Sequence, residues 1–314
     1  FGINLLIVEN ALALPMNVPL GLAITELIAE TGLPAIAHHH DFAWERERFA
    51  LNAASDYLHA AFPPTLPSIH HVVINSFAGR QLAMRNGVSS VLIPNVMDFD
   101  HPPAPADDHT RLFRAAMGVQ PDEKLLLQPT RIVPRKRIEK AVEITRRLGL
   151  PAALVISHSA GDEGIAYENY LREMAEMLGA RVVFAADFVG HDRGEARNGE
   201  ALFSLADAYH EADLVTYPSV IEGFGNAFLE TVYYSRPIMM ANYEIFNVDI
   251  KPKGFRAITF GEFVDEACLQ QAREWLSNPA LVAEITAANY AVAKRYYSYH
   301  VLEKHLALLI NECL

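Results

Sequence analysis

Only two of the 314 residues are cysteine, Cys268 and Cys313, far apart and outside any CxxC spacing. A disulfide scaffold and a cysteine-based structural zinc site are thereby excluded, and a reducing cytoplasm is the expected compartment. Long apolar runs are lacking too. Charge or proline breaks every hydrophobic stretch before the roughly 18 residues that a bilayer span needs, so no transmembrane segment is expected. Positive charge is scarce: 26 Lys and Arg stand against 38 Asp and Glu, a formal net charge of −12. That balance argues against nucleic acid or an anionic membrane as partner, because both are met by basic surfaces. Internal repeats and low-complexity segments are absent. So is an initiator methionine: the chain opens Phe1-Gly2-Ile3-Asn4-Leu5-Leu6-Ile7-Val8, which reads as a buried strand, and a start inside a domain is expected.

What is present is the composition of a folded globular protein, 51% hydrophobic and 20% charged. The length suits two domains. Short apolar runs alternate with amphipathic helical patterns throughout. Strands are expected at 3–8, 35–37, 72–75, 91–93, 125–128, 153–157, 182–184, 214–217, 238–241 and 257–260. Between them, Leu20, Ala23, Ile24, Leu27 and Ile28 recur at the spacing of one buried helix face, as do Ile138, Val142 and Thr145, and Leu202, Leu205, Ala206 and Tyr209. This alternation implies an α/β fold with parallel sheets, doubly wound. His101-Pro102-Pro103-Ala104-Pro105-Ala106-Asp107-Asp108 reads as an extended linker. It divides the chain into an N-terminal lobe, 1–106, and a C-terminal lobe, 107–280, followed by a helical segment, 281–314.

In an open parallel sheet, ligands gather at the carboxyl ends of strands. Two such ends carry chemistry. After 125–128 comes Pro129-Thr130-Arg131-Ile132-Val133-Pro134-Arg135-Lys136-Arg137, whose four cations form a candidate diphosphate clamp; taken alone, it reads first as a solvated basic turn. After 214–217 comes Pro218-Ser219-Val220-Ile221-Glu222-Gly223-Phe224-Gly225-Asn226, opening a helix. The glycines permit close backbone approach to a ligand, and the helix start favours an anion. Glu222 lies in the loop and Glu230 about one turn inside the helix, from where a side chain can lean back toward the same pocket. Taken alone, Glu230 is equally a surface carboxylate.

Glu222 and Glu230, with seven residues between them in Pro-Ser-x-x-Glu-Gly-Phe-Gly-Asn-x-x-x-Glu, resemble the E-x7-E signature of glycosyltransferase family 4. Arg131-x4-Lys136 resembles that family's phosphate-binding turn, and Ile93-Pro94-Asn95-Val96-Met97-Asp98 its linker signature. The resemblance covers essentially the whole chain. It implies a GT-B architecture, two Rossmann-like lobes facing a cleft with a final helix returning to the first lobe. It also implies a retaining hexosyltransferase acting on a nucleotide sugar, with glucose or mannose expected as the sugar and a small molecule or glycan as acceptor. No cofactor and no obligatory metal are expected. On this resemblance Arg131 and Lys136 hold the donor diphosphate. Glu222, with the backbone of Phe224, Gly225 and Asn226, orients the sugar, and Glu230 holds the ribose.

The first lobe offers His38-His39-His40-Asp41-Phe42-Ala43-Trp44-Glu45 directly after 35–37. In the family a histidine at this position faces the transferred sugar; His39, His40 and Asp41 are the candidates, and the run of three leaves the register open. A single ion held by the whole run is not expected, because consecutive residues on an extended segment point in alternating directions. Within the family the His-His-His-Asp-Phe-Ala-Trp-Glu and Asp249-Ile250-Lys251-Pro252-Lys253-Gly254 segments resemble synthases of compatible-solute glycosides of glycerate. Two departures stand out. No glycine-rich loop precedes Asn10, so an incomplete first lobe is expected, and Tyr243-Glu244-Ile245-Phe246 occupies the place of another Gly-rich loop. A 2-epimerase or hydrolase of the same architecture, or an inactive donor-binding module, would share the diphosphate features.

Overall fold

The computed structural model describes residues 2–161, 164–195, 199 and 201–314. The chain forms two compact units, Phe1–Val96 with Tyr297–Leu314, and Met97–Tyr296. The division falls at Val96/Met97 rather than at 106/107, because Phe99 is buried and meets Tyr233 and Tyr290 edge-on within the second unit. Likewise the helical segment expected from 281 divides at Tyr297: Ile285 is part of the second unit's core, and Asn289 bonds the backbone of Arg256.

In unit 1, β1 (Leu6–Glu9), β2 (Ala35–His39), β3 (Ile69–Val73) and β4 (Ser90–Leu92) form one parallel sheet in sequence order among the described residues. The helices α1 (Val18–Thr31), α2 (Ser55–Ala61) and α3 (Ser76–Asn86) connect the strands, and α12 (Tyr299–Cys313) also belongs to this unit. Alternate residues of β2 serve opposite faces. Ala35 and Ala37 pack with Ile28 of α1, whereas Ile36 packs with Leu309 of α12. Asn17 caps α1 by accepting from the Leu20 amide at 3.1 Å, and Gly32, at φ 68°, ends it.

The apolar spacing of α1 is only half followed. Ile24 and Ile28 pack on the core as expected, but Leu20, Ala23 and Leu27 are exposed, and Gly21 is buried beside Ile28. Gly21 decides the rotation. A Cβ there would lie 2.3 Å from Cζ of the buried Phe62, so only a glycine lets that ring seat against the helix.

Unit 2 holds β5 (Lys124–Gln128), β6 (Ala152–Ile156), β7 (Arg181–Phe184), β11 (Leu214–Tyr217), β12 (Ile238–Ala241) and β13 (Ile258–Phe260) in a parallel sheet. Its order is β13-β12-β11-β5-β6-β7, which reverses direction between β5 and β11. The short strands β8 (Val189–Gly190), β9 (Gly194–Glu195) and β10 (Ala201–Ser204) form a separate small sheet. The helices are α4 (Asp108–Arg111), α5 (Phe113–Ala116), α6 (Ile138–Arg147), α7 (Ala166–Leu178), α8 (Leu205–Glu211), α9 (Asn226–Tyr233), α10 (Glu266–Ser277) and α11 (Pro279–Tyr297).

Ile138, Val142 and Thr145 are buried on α6 as their spacing requires. Leu202 is not on a helix. It lies in β10, and α8 starts only after Ser204, whose side chain and that of Asp207 form a reciprocal cap.

Candidate active site

The reversal of strand order between β5 and β11 opens a crevice at the carboxyl ends of those two strands, the usual ligand position in a doubly wound sheet. Both loaded loops of unit 2 leave from this point. Buried polar side chains tie the two strand ends together: Thr216 Oγ1 donates to Gln128 Oε1 at 2.9 Å, and Gln128 Nε2 donates to Thr130 Oγ1 at 2.7 Å. Ser219 Oγ reaches the Arg135 carbonyl at 3.3 Å, which joins the two loops themselves.

After β5 the chain makes one tight turn, Pro134–Lys136, then takes Arg137 through φ 50° into α6. This aims the Lys136 ammonium at Glu222, with which it forms an ion pair. The two side chains are only 11% and 10% exposed, so the pair is screened from solvent. Burial lowers the Lys136 pKa. Glu222 opposes that shift, while Arg135 and Arg131 add to it. The ammonium also lies 5.5 Å from the ring centre of Tyr217, a buried tyrosine whose hydroxyl is pushed well up by burial and then by Glu222. Arg131 is exposed on the same loop. Burial and then the Arg131 charge hold the neighbouring His158 imidazole below its ordinary value.

Gly225 adopts φ 109°, open to glycine alone, and passes directly into α9 at Asn226. A Cβ on Gly225 would lie 2.3 Å from the Tyr243 hydroxyl. That hydroxyl donates to the Phe224 carbonyl at 2.8 Å, and the Tyr243 ring meets Tyr217 edge-on. The segment that replaces the family's Gly-rich loop thus buttresses the Gly-Phe-Gly turn from behind. Within α9, Glu230 accepts from the Tyr209 hydroxyl at 2.9 Å, and the same hydroxyl lies 3.4 Å from the Ala227 carbonyl one turn earlier. Burial raises the Glu230 pKa, with the Tyr209 bond opposing. Lys136 and Glu222 are therefore in contact, whereas Glu230 sits with Tyr209.

In unit 1, the three expected histidine-run residues separate. His39 turns inward, 1% exposed, with Nε2 2.9 Å from His71 Nδ1. Burial, and then the proximity of His71, His38 and His40, keeps His39 well below its ordinary pKa. His40 stays on the outer side, and Asp41 pairs with Arg46 at 2.6 Å. Glu9 and His38, which sequence reasoning did not single out, stand beside His40. Tyr209 and Tyr243 were also missed as site residues. Tyr243 carried a signal, as the bulky residue where a flexible loop was expected; Tyr209 carried none, since its link to Glu230 spans 21 residues.

The two Rossmann-like units, with the basic loop and the glutamate loop meeting at the switch point of the second, have the GT-B fold. No family model matches the chain. Mannosylglucosylglycerate synthase from Thermotoga maritima is 32% identical over 97% of this chain, which spans 75% of that protein. The synthase of the same name from Petrotoga mobilis is 33% identical over 82% of this chain, which spans 64% of it. The crystal structure of Anabaena HepE in complex with UDP and glucose matches with a TM-score of 0.71 at 14% identity, over 98% of this chain and 77% of that one. The chain belongs to the same glycosyltransferase family as these mannosylglucosylglycerate synthases. Among the described residues no helix is long and apolar enough to cross a membrane.

Proposed function

We propose that the chain is a retaining hexosyltransferase that takes its sugar from a nucleoside diphosphate sugar and needs no metal at the diphosphate. The observation that carries this reading is the screened Lys136–Glu222 pair at the switch point of unit 2. A diphosphate needs fixed positive charge, and a sugar needs a carboxylate that accepts from its hydroxyls; this pair supplies both side by side. Arg131, exposed on the same loop, adds the bidentate fork. When the donor enters, Lys136 turns from Glu222 to the phosphate and Glu222 turns to the sugar. Charge that develops on the departing diphosphate is then met by Lys136, Arg131 and the start of α9, groups already in position before the bond breaks. Glu230, held by Tyr209, takes the ribose hydroxyls. In unit 1, His40 and Asp41 stand just past the carboxyl end of β2 and are the candidates for handling the sugar acceptor. His39, enclosed against His71, positions that strand end from within. The relatives' product points to mannose as the sugar and to a glucoside of glycerate as the acceptor.

The test starts from thermal shifts with UDP, GDP and ADP and their common sugars, because a ligand that binds only the folded state raises the melting temperature. The stabilising donor is then incubated with glucosylglycerate, and the anomeric configuration of the product is read by NMR. Retention in the new glycoside is expected, together with loss of the donor's stabilising effect in Lys136→Ala. Donor turnover without acceptor would assign an epimerase or hydrolase instead, and nucleotide binding without transfer a binding module. If no nucleoside diphosphate shifts the melt, the reading is wrong.

A further inference from the structure

We propose that Glu9, His38 and His40 form a binding site for a late first-row divalent metal ion in unit 1. The site follows from strand register. Glu9 and His38 are Cα partners at the carboxyl ends of the parallel strands β1 and β2. Alternation along a strand puts His38 and His40 on one face and His39 on the other, where it meets His71. The two histidines need a third ligand from elsewhere, and Glu9 supplies it. Its Oε2 lies 2.9 Å from His38 Nδ1 and 3.3 Å from His40 Nε2. All three donor atoms lie within 4.8 Å of one another. Bonds of roughly 2.0–2.2 Å in tetrahedral geometry place ligand atoms about 3.3–3.6 Å apart, so an ion fits between them with a small outward shift of the carboxylate.

The frame around these ligands is fixed by the backbone. The Asn10 amide donates to the His38 carbonyl at 2.8 Å, and the Asn10 side chain accepts from the His40 amide at 3.1 Å, so both strand ends are stapled to each other. Among the described residues no other group of three or more His, Cys, Asp or Glu side chains brings donor atoms together in this way. Two imidazoles and one carboxylate favour Zn²⁺, Co²⁺ or Ni²⁺ over Mg²⁺ or Ca²⁺, which take oxygen ligands. The Glu9 and His40 side chains are 60% and 40% exposed, which gives the ion an entry path and leaves a coordination position for water or a ligand oxygen. The site lies wholly in unit 1 and stands whether or not unit 2 transfers sugar.

The experiment titrates Co²⁺ into the chelator-stripped chain and follows the visible d–d absorption of the bound ion, with Zn²⁺ as competitor. One Co²⁺ per chain is expected, displaced by Zn²⁺ and indifferent to excess Mg²⁺. Glu9→Gln and His40→Gln change exposed side chains, and each should abolish the stoichiometric signal while circular dichroism stays unchanged. His101→Gln, a control at the exposed His101–Asp98 pair, should leave it intact. A folded wild-type chain that takes up no Co²⁺ overturns the proposal. So does an unchanged spectrum in the folded Glu9→Gln, His40→Gln double variant.

Discussion

At the scale of single residues, the ion pair between Lys136 and Glu222 gives a test of the separate roles proposed for the two glutamates. Glu222→Gln removes the counterion of Lys136. Transfer should fall by about ten- to hundredfold, the scale of one hydrogen bond to a charged group, while affinity for the bare nucleoside diphosphate holds or rises. Glu230→Gln should weaken bare nucleotide and nucleotide sugar alike. Calorimetry with both ligands, beside initial transfer rates, distinguishes the two patterns; equal losses in both variants would dissolve the division of labour. The sequence disclosed which residues to compare, because two glutamates with seven residues between them across a loop-to-helix junction are local geometry. It did not disclose that Tyr209 holds Glu230, or that Tyr243 backs the Gly225 turn, since both depend on contacts between distant elements.

At the scale of elements, α1 shows how a propensity rule loses to packing. Gly21→Ala would gain up to about 1 kcal/mol of helix propensity. It would also drive a methyl group to 2.3 Å from the buried Phe62 ring, an overpacking cost of roughly 1–3 kcal/mol. The clash wins, so Gly21→Ala should lower the urea midpoint; a rise would show that Phe62 moves freely. The same helix marks the limit of periodicity. Leu20, Ala23, Ile24, Leu27 and Ile28 spell one apolar face, yet only Ile24 and Ile28 pack on the core, because the seat of Phe62 against Gly21 turns Leu20, Ala23 and Leu27 outward. Strands were legible where a continuous apolar run is buried on both faces, as at Leu214–Tyr217 and Ile238–Ala241. The histidine run was half legible. Alternation correctly forbids three adjacent ligands, but Glu9, 31 residues before His40 and brought in by β1, is invisible to any local pattern.

For the molecule as a whole, the enclosed His39–His71 pair couples unit 1 to acid. Burial, and then neighbouring His70, hold the His71 pKa down at about 4, against an ordinary value of 6.5. Above pH 6.5 this group is neutral folded or unfolded and contributes no pH dependence. As pH falls from 6.5 to 4 the unfolded chain takes up a proton that the folded one refuses, so stability drops by up to about 3 kcal/mol, then levels off. Urea unfolding across that window should therefore show a steep acid slope. In His71→Gln the slope should flatten even if the variant is less stable throughout; an unaltered slope would place the acid sensitivity elsewhere.

Because Lys136 and Glu222 neutralise each other before any ligand arrives, the resting crevice is a poor trap for stray anions. Inorganic phosphate or sulfate can take the ammonium only by leaving a screened carboxylate without its counterion. If the proposed donor reading holds, a sugar diphosphate answers both halves at once, its phosphates for the lysine and its hydroxyls for the glutamate. Such a two-key lock would keep competition by simple phosphate weak in the native chain and strengthen it in Glu222→Gln.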